Sequence, residues 1–328
     1  MRYLSIKKED WDNNLEQLLL SCTVVAPVRN EFGLDYELLK TGEIKSIVYN
    51  SPKPATPLKS FFLPVSENVT KLFSTGKQRI IIGIPGCDVR ALSIIDEIYL
   101  DKDFNDPYYR QRRDETLLIS ADCFGVQEHC HCTSYGLKPF DENDSDLAVI
   151  LRDDQVFLRV ISPKGEDFVK KLSGTSATDK VQTEFIDGEH KKTEELLQKA
   201  NKGLPDYRET GRIVQEADAG IWKKYSSKCV SCGACTTICP TCTCFLLIDR
   251  PEFEKVKQMD ACQYPGFARV AGGEDPLFRL PSRFRNRYMC KYVWKPAKFK
   301  SLACTGCGRC IEACIGKINK NELFRELA

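Results

Sequence analysis

Residues 229–244 read CVSCGACTTICPTCTC, six cysteines within sixteen positions, and this stretch decides how the C-terminal part of the chain folds. Cys229, Cys232, Cys235 and Cys239, followed by Pro240, fit C-x2-C-x2-C-x3-C-P, and Cys304, Cys307, Cys310 and Cys314 repeat that spacing. Three cysteines two residues apart wrap a tight loop around one face of an iron–sulfur cubane. The fourth projects away and ligates the other cluster of a pair. The spacing therefore predicts one [4Fe–4S] cluster on Cys229, Cys232, Cys235 and Cys314, and a second on Cys304, Cys307, Cys310 and Cys239. Zinc sites use separated CxxC pairs instead of this triple, which leaves a zinc-stabilised binding module as a remote alternative.

Cys314 is followed by Ile315 and Gly316 where a proline would stiffen the turn, but proline supplies no ligand. The 64 residues from 240 to 303 exceed what a compact two-cluster domain needs, and are expected to wrap the clusters or face a partner. Cys242 and Cys244 are left over. They read as small polarizable packing residues whose S–H groups donate weakly to cluster sulfur.

The rest of the chain sets the context. MRYLSIKKEDWDNN turns polar where a secretory signal would place its apolar run, and no stretch reaches the roughly eighteen apolar residues of a membrane span. A cytoplasmic location is expected, where thiols stay reduced, so the seventeen cysteines imply metal and not a disulfide framework. Basic and acidic residues balance, 48 against 46, and no long-range field draws the molecule to nucleic acid or to an anionic membrane.

Length and a 42% hydrophobic content fit two domains. CTVVAPV (22–28), SIVYN (46–50), RIIIGI (79–84) and TLLIS (116–120) predict strands, and VILRDDQVFLRVI (149–161) pairs two more around Asp153-Asp154. DVRALSIIDEIYL (88–100) predicts a helix capped by Asp88. Residues 162–218 are polar, with one exposed helix expected at KTEELLQKANKG (192–203). The expected fold is α+β: a mixed α/β domain over 1–210, then a two-cluster ferredoxin-like domain over 211–328 with a long insertion, leaning on metal for stability.

A second cysteine group lies in the N-terminal domain. Cys87 follows RIIIGI, Cys123 follows TLLIS, and Cys130 and Cys132 come shortly after in EHCHCTSYG. If the two strands are neighbours, all four emerge at the carboxyl edge of one sheet, where open α/β sheets place ligands. The spacing alone admits a third [4Fe–4S] cluster, a zinc site sharing His129 and His131, or reduced loop thiols. SRFRNRYMCKYVWKPAKFK (282–300) interleaves seven basic residues with five aromatics and reads as a counter-charge to an anionic cluster or a rim for an acidic partner, not as a nucleic-acid surface. Trp222 and Trp294 are expected in a core or an interface, and His190 in solvent. No nucleophile–base arrangement and no Gly-rich dinucleotide fingerprint is present, so no catalytic site of the chain's own is expected.

GIPGCDVRAL, DCFGVQEHCHCTSYG, CVSCGACTTICPTCTC, MDACQYPGFARVAGG, RFRNRYMCKY and CTGCGRCIEAC occur in one order along the chain. In this the sequence resembles, from about residue 20 to 320, the β subunits of cytoplasmic NAD(P)-linked [NiFe] hydrogenases (sulfhydrogenases) and the A subunit of anaerobic sulfite reductase. The resemblance implies an iron–sulfur conduit between a flavin (FAD or FMN) subunit that oxidises NAD(P)H and a catalytic metalloenzyme subunit, with the hydrogenase type favoured over sulfite reductase. It also implies that Cys87, Cys123, Cys130 and Cys132 hold a third [4Fe–4S] cluster. An electron-bifurcating transhydrogenase subunit or a free-standing ferredoxin-like carrier is the alternative. Ile315 replaces the usual proline, and Cys290 stands where histidine is expected.

Overall fold

The computed structural model describes residues 2–71, 76–178, 180–299 and 301–328. Eleven strands organise these residues: β1 Tyr3–Lys7, β2 Thr23–Asn30, β3 Gly33–Leu38, β4 Ser66–Asn68, β5 Arg79–Ile84, β6 Thr116–Ala121, β7 Leu147–Arg152, β8 Gln155–Val160, β9 Ser176–Ala177, β10 Phe245–Asp249 and β11 Lys255–Met259. Eight of them form one mixed sheet in the order β3-β2-β5-β6-β7-β8-β1-β9. β2, β5, β6 and β7 run parallel, and the remaining pairs are antiparallel. β5 and β6 are continuous apolar runs because helices and loops cover both faces of the parallel centre. One face packs on Trp11, Leu15 and Phe168, the other on Leu58, Phe62, Val89, Leu92 and Ile95.

The expected helix after RIIIGI spans Gly86–Tyr99, but Pro85 precedes it and Asp88 lies inside its first turn, wholly buried, so the aspartate is not its cap. SIVYN is no strand. β3 takes one edge of β2 and β5 takes the other only at Thr23–Val25, and past that point SIVYN contributes a 3-10 turn at Ile44–Ser46 and a single bridge between Val28 and Ile47. The helix expected over 192–203 is the second half of a longer one, Lys180–Ala200, exposed at most positions but with one buried stripe. Ile186, His190, Thr193 and Leu197 recur at helical spacing along its buried side. His190 therefore departs from the solvated role expected of it: its Nε2 lies 2.8 Å from Asp122 Oδ2, and its ring stacks on Phe140 at 3.6 Å. Asp122 also receives both Arg159 Nη atoms, at 2.7 and 2.9 Å.

β10 and β11 form a hairpin to which β4, from the N-terminal part, adds a third strand. The helix Leu280–Met289 runs through a π-helical turn, Cys290–Trp294, into Lys295–Phe299. Trp222, Phe284, Tyr288, Tyr292 and Phe324 make a separate aromatic core here, while Trp294 is half exposed. Among the described residues no helix is long and apolar enough to cross a membrane.

Candidate metal centre

Each four-cysteine motif folds as a loop feeding one turn of helix, Ala234–Thr237 in the first and Arg309–Glu312 in the second. Gly233 and Gly308 precede these turns in the left-handed region, at φ 73° and 80°. Neither position has room for a side chain: a Cβ at Gly233 would strike the Tyr264 ring and Ala261, and one at Gly308 would strike the His129 carbonyl. The second loop is also pinned to the N-terminal loop that carries Cys130 and Cys132, since His131 N–H donates to the Gly306 carbonyl at 2.8 Å.

Cys229, Cys232, Cys235 and Cys314 line one cavity, with Cys310 also on its wall. The helical turn of the second motif thus carries its last cysteine across to the first triple. Cys239 lies close enough to Cys304 and Cys307 for its charge to act on both thiols. A second cavity is lined by Cys87, Cys123, Cys130 and Cys132, together with Cys307. It sits at the carboxyl edge of the sheet because β5 and β6 are parallel neighbours. His129 and His131 do not line it, and His131 Nδ1 bonds the His129 carbonyl at 2.7 Å while its Nε2 has no partner among the described residues. Among the described residues no three His, Cys, Asp or Glu side chains close on a single-ion point. The thiols stand around open space instead.

The thiols differ in ease of ionisation. Burial pushes Cys235 up to about 11 and Cys132 and Cys307 to about 12, and it drives Cys87 and Cys123 well above the ordinary thiol value. Such thiols keep their protons until a metal displaces them. Cys239 goes the other way. A hydrogen bond from the Cys242 thiol, with Lys291, Arg287 and Lys59 nearby, holds it well below the ordinary value. Burial raises Cys304, yet Lys320 and Lys291 outweigh it and leave a lowered thiol.

The basic segment 282–300 supplies these cations as a stripe. Arg283, Arg287, Lys291 and Lys295 recur every four residues, and the first three are buried. Arg287 donates to the Cys235 carbonyl at 3.1 Å, Lys291 to Thr241 Oγ1 and the Ala303 carbonyl at 2.6 Å each, and Lys295 to the Thr241 carbonyl at 2.7 Å. Arg287 and Lys291 thereby stand beside the thiols of both motifs.

Other residues were not visible as functional in the sequence. Lys53, with a side chain 2% exposed, bonds Gln127, pairs with Glu312 at 2.7 Å and lies 4.0 Å from Cys130 Sγ. Lys59 Nζ donates to the Cys242 carbonyl at 2.8 Å. Lys53 sits in a loop and Lys59 in a short 3-10 helix, Leu58–Phe61, neither with a motif of its own. Cys242 acts as a hydrogen-bond donor to the Cys239 thiol, whereas Cys244 turns to Cys262.

Grouped thiols around cavities, buried cations beside them and carboxylates held off in ion pairs are the donor set of a multi-iron cluster, which takes thiolate ligands on separate irons. These features define an iron–sulfur protein of mixed α/β fold, and the family of 4Fe-4S dicluster domains matches residues 228–318. Sulfhydrogenase 2 subunit beta of Pyrococcus furiosus is 30% identical over 342 aligned positions that span all of this chain and 98% of the relative. The chain belongs to the family of sulfhydrogenase β subunits, the iron–sulfur subunits of hydrogenase-type complexes. No solved structure matches it.

Proposed function

We propose that this chain relays single electrons between a flavin subunit that oxidises NAD(P)H and a catalytic metalloenzyme subunit of hydrogenase type, through three [4Fe–4S] clusters. Cys229, Cys232, Cys235 and Cys314 hold the first, Cys304, Cys307, Cys310 and Cys239 the second, and Cys87, Cys123, Cys130 and Cys132 the third. When bound, each cluster supplies a one-electron couple whose potential the surrounding protein sets.

One observation carries this reading. The second motif is interposed between the two cavities, with Cys310 on the wall of one and Cys307 on the wall of the other. On this reading the second site stands between the other two, and the three make one relay line. The chain's own residues bury the line, offset its negative charge through Arg287, Lys291, Lys320 and Lys53, and leave Cys232 exposed at one end. The surface supports a partner too: β10 is an edge strand whose five residues, FLLID, are all exposed.

Anaerobic purification of the chain with its genomic neighbours tests the reading. The expected outcome is a brown complex containing a flavoprotein, with about twelve irons and as many acid-labile sulfides per copy of this chain. About eight irons would remove the third cluster, and colourless, zinc-loaded material would overturn the proposal.

A further inference from the structure

We propose that Cys244 and Cys262 form a redox-active dithiol/disulfide pair beside the first cysteine motif, in electronic contact with the relay. This rests on the reading that the cysteine quartets hold clusters.

Neither residue belongs to a quartet. Cys244 immediately precedes β10 and Cys262 follows β11, and the register Phe245 to Met259, continued by Asp260 N–H donating to the Cys244 carbonyl at 3.0 Å, brings the two strand ends together. The thiols of two quartets line cavities, whereas the paired ends of β10 and β11 set Cys244 and Cys262 beside each other, close enough for each thiol to act on the other's ionisation. A contact pair of thiols is the arrangement that closes to a disulfide, not one that spans a cubane.

The pair also reaches the relay. Thr236 Oγ1 lies 3.8 Å from Cys262 Sγ and 3.9 Å from Cys235 Sγ, so a single hydroxyl separates the pair from a cysteine of the first quartet. Gln263 Nε2 donates to Cys262 Sγ at 3.7 Å, and the Cys244 thiol donates to the same sulfur, drawing Cys262 down to about 6. A thiolate of that kind is the reactive partner in thiol–disulfide exchange. Cys244 lines a recess shared with Lys59 and Tyr99, which gives the pair its outlet. On oxidation a bond forms between Cys244 Sγ and Cys262 Sγ. The protons held by the pair leave through that recess, and two electrons pass singly to one-electron acceptors of the iron–sulfur class; reduction reverses each change.

The test poises the full-length, anaerobically purified protein in dithiothreitol redox buffers from roughly −350 to −200 mV, a range that brackets protein dithiols. Each sample is acid-quenched, alkylated and peptide-mapped, and its iron is counted before the quench. The expected result is a Cys244–Cys262 disulfide that appears with a two-electron slope at constant iron, and that Cys244→Ser or Cys262→Ser abolishes with iron unchanged. Two free thiols at every potential would overturn the proposal. So would a loss of about four irons in Cys262→Ser, which would make Cys262 a cluster ligand. An iron-free parent protein sinks the cluster reading instead, and the thiol map still judges the pair.

Discussion

Arg309 and Asp88 join the second cysteine motif to the helix that carries Cys87 by a two-pronged ion pair, with Nη1 to Oδ1 at 2.5 Å and Nη2 to Oδ2 at 2.7 Å, both side chains essentially out of solvent. The guanidinium also donates to the carbonyls of Pro54 and Ala55. Removing one partner strands a buried charge. Asp88→Ala is expected to cost about 3–5 kcal/mol, read as a lower midpoint in anaerobic denaturant unfolding. Arg309→Lys keeps the charge but loses the paired geometry and should fall between the two.

How much of this was legible in the sequence depends on the range of the interaction. The cysteine spacings and the apolar runs of β5 and β6 are local patterns, but that the two strands are parallel neighbours was only a condition in the sequence, and the sheet supplies it for the thiols that line the second cavity. Asp88 looked like a helix cap because its partner is 221 residues away. His190 looked solvated for the same reason, since Asp122 and Phe140 meet it only after the sheet and the long helix pack. The stripe Arg283, Arg287, Lys291 and Lys295 was readable as a spacing of four, though not the sulfurs it would serve.

The crossing of the motifs gives a non-additive prediction. If Cys229 and Cys314 serve one cluster, Cys229→Ala with Cys314→Ala should lose no more iron than either alone, about four per chain. Cys229→Ala with Cys239→Ala should lose about eight, because two clusters are hit. Motifs that each kept their own cluster would reverse the two results. Iron and sulfide counts on anaerobic protein decide it.

Lys53 is expected to set the potential of the third site. Burial disfavours its charge, but Cys130 and Glu312 outweigh that and raise its pKa, so it stays protonated. A cation this near stabilises the more negative, reduced cluster. Lys53→Met should therefore lower that midpoint by on the order of 50–100 mV, with Lys53→Arg close to the parent. Glu312→Gln should shift it upward. Potentiometric EPR reads both signs.

Metal removal should unfold the two halves unequally. The motif helices Ala234–Thr237 and Arg309–Glu312 are single turns, too short to persist alone, and they face cavities instead of a packed core. The eight-stranded sheet has two apolar faces of its own. Chelation under reducing conditions should expose 229–239 and 304–314 to rapid amide exchange and proteolysis while amides of β5, β6 and β7 stay protected.

The strand β10 is where a partner subunit should be felt. Phe245, Leu246, Leu247 and Ile248 are each 39–54% exposed, on an edge that among the described residues pairs only through β11. An apolar edge strand open on both faces invites pairing, and a chain that works inside a complex keeps it because another subunit covers it. Leu246→Glu combined with Leu247→Glu places one charge on each face and disturbs no described core residue. The pair should leave iron content and thermal midpoint near the parent values, yet cut recovery of the partner subunits in anaerobic co-purification at least tenfold, about 1.4 kcal/mol of association. Undiminished recovery with both charges in place would assign the interface to another face of the molecule.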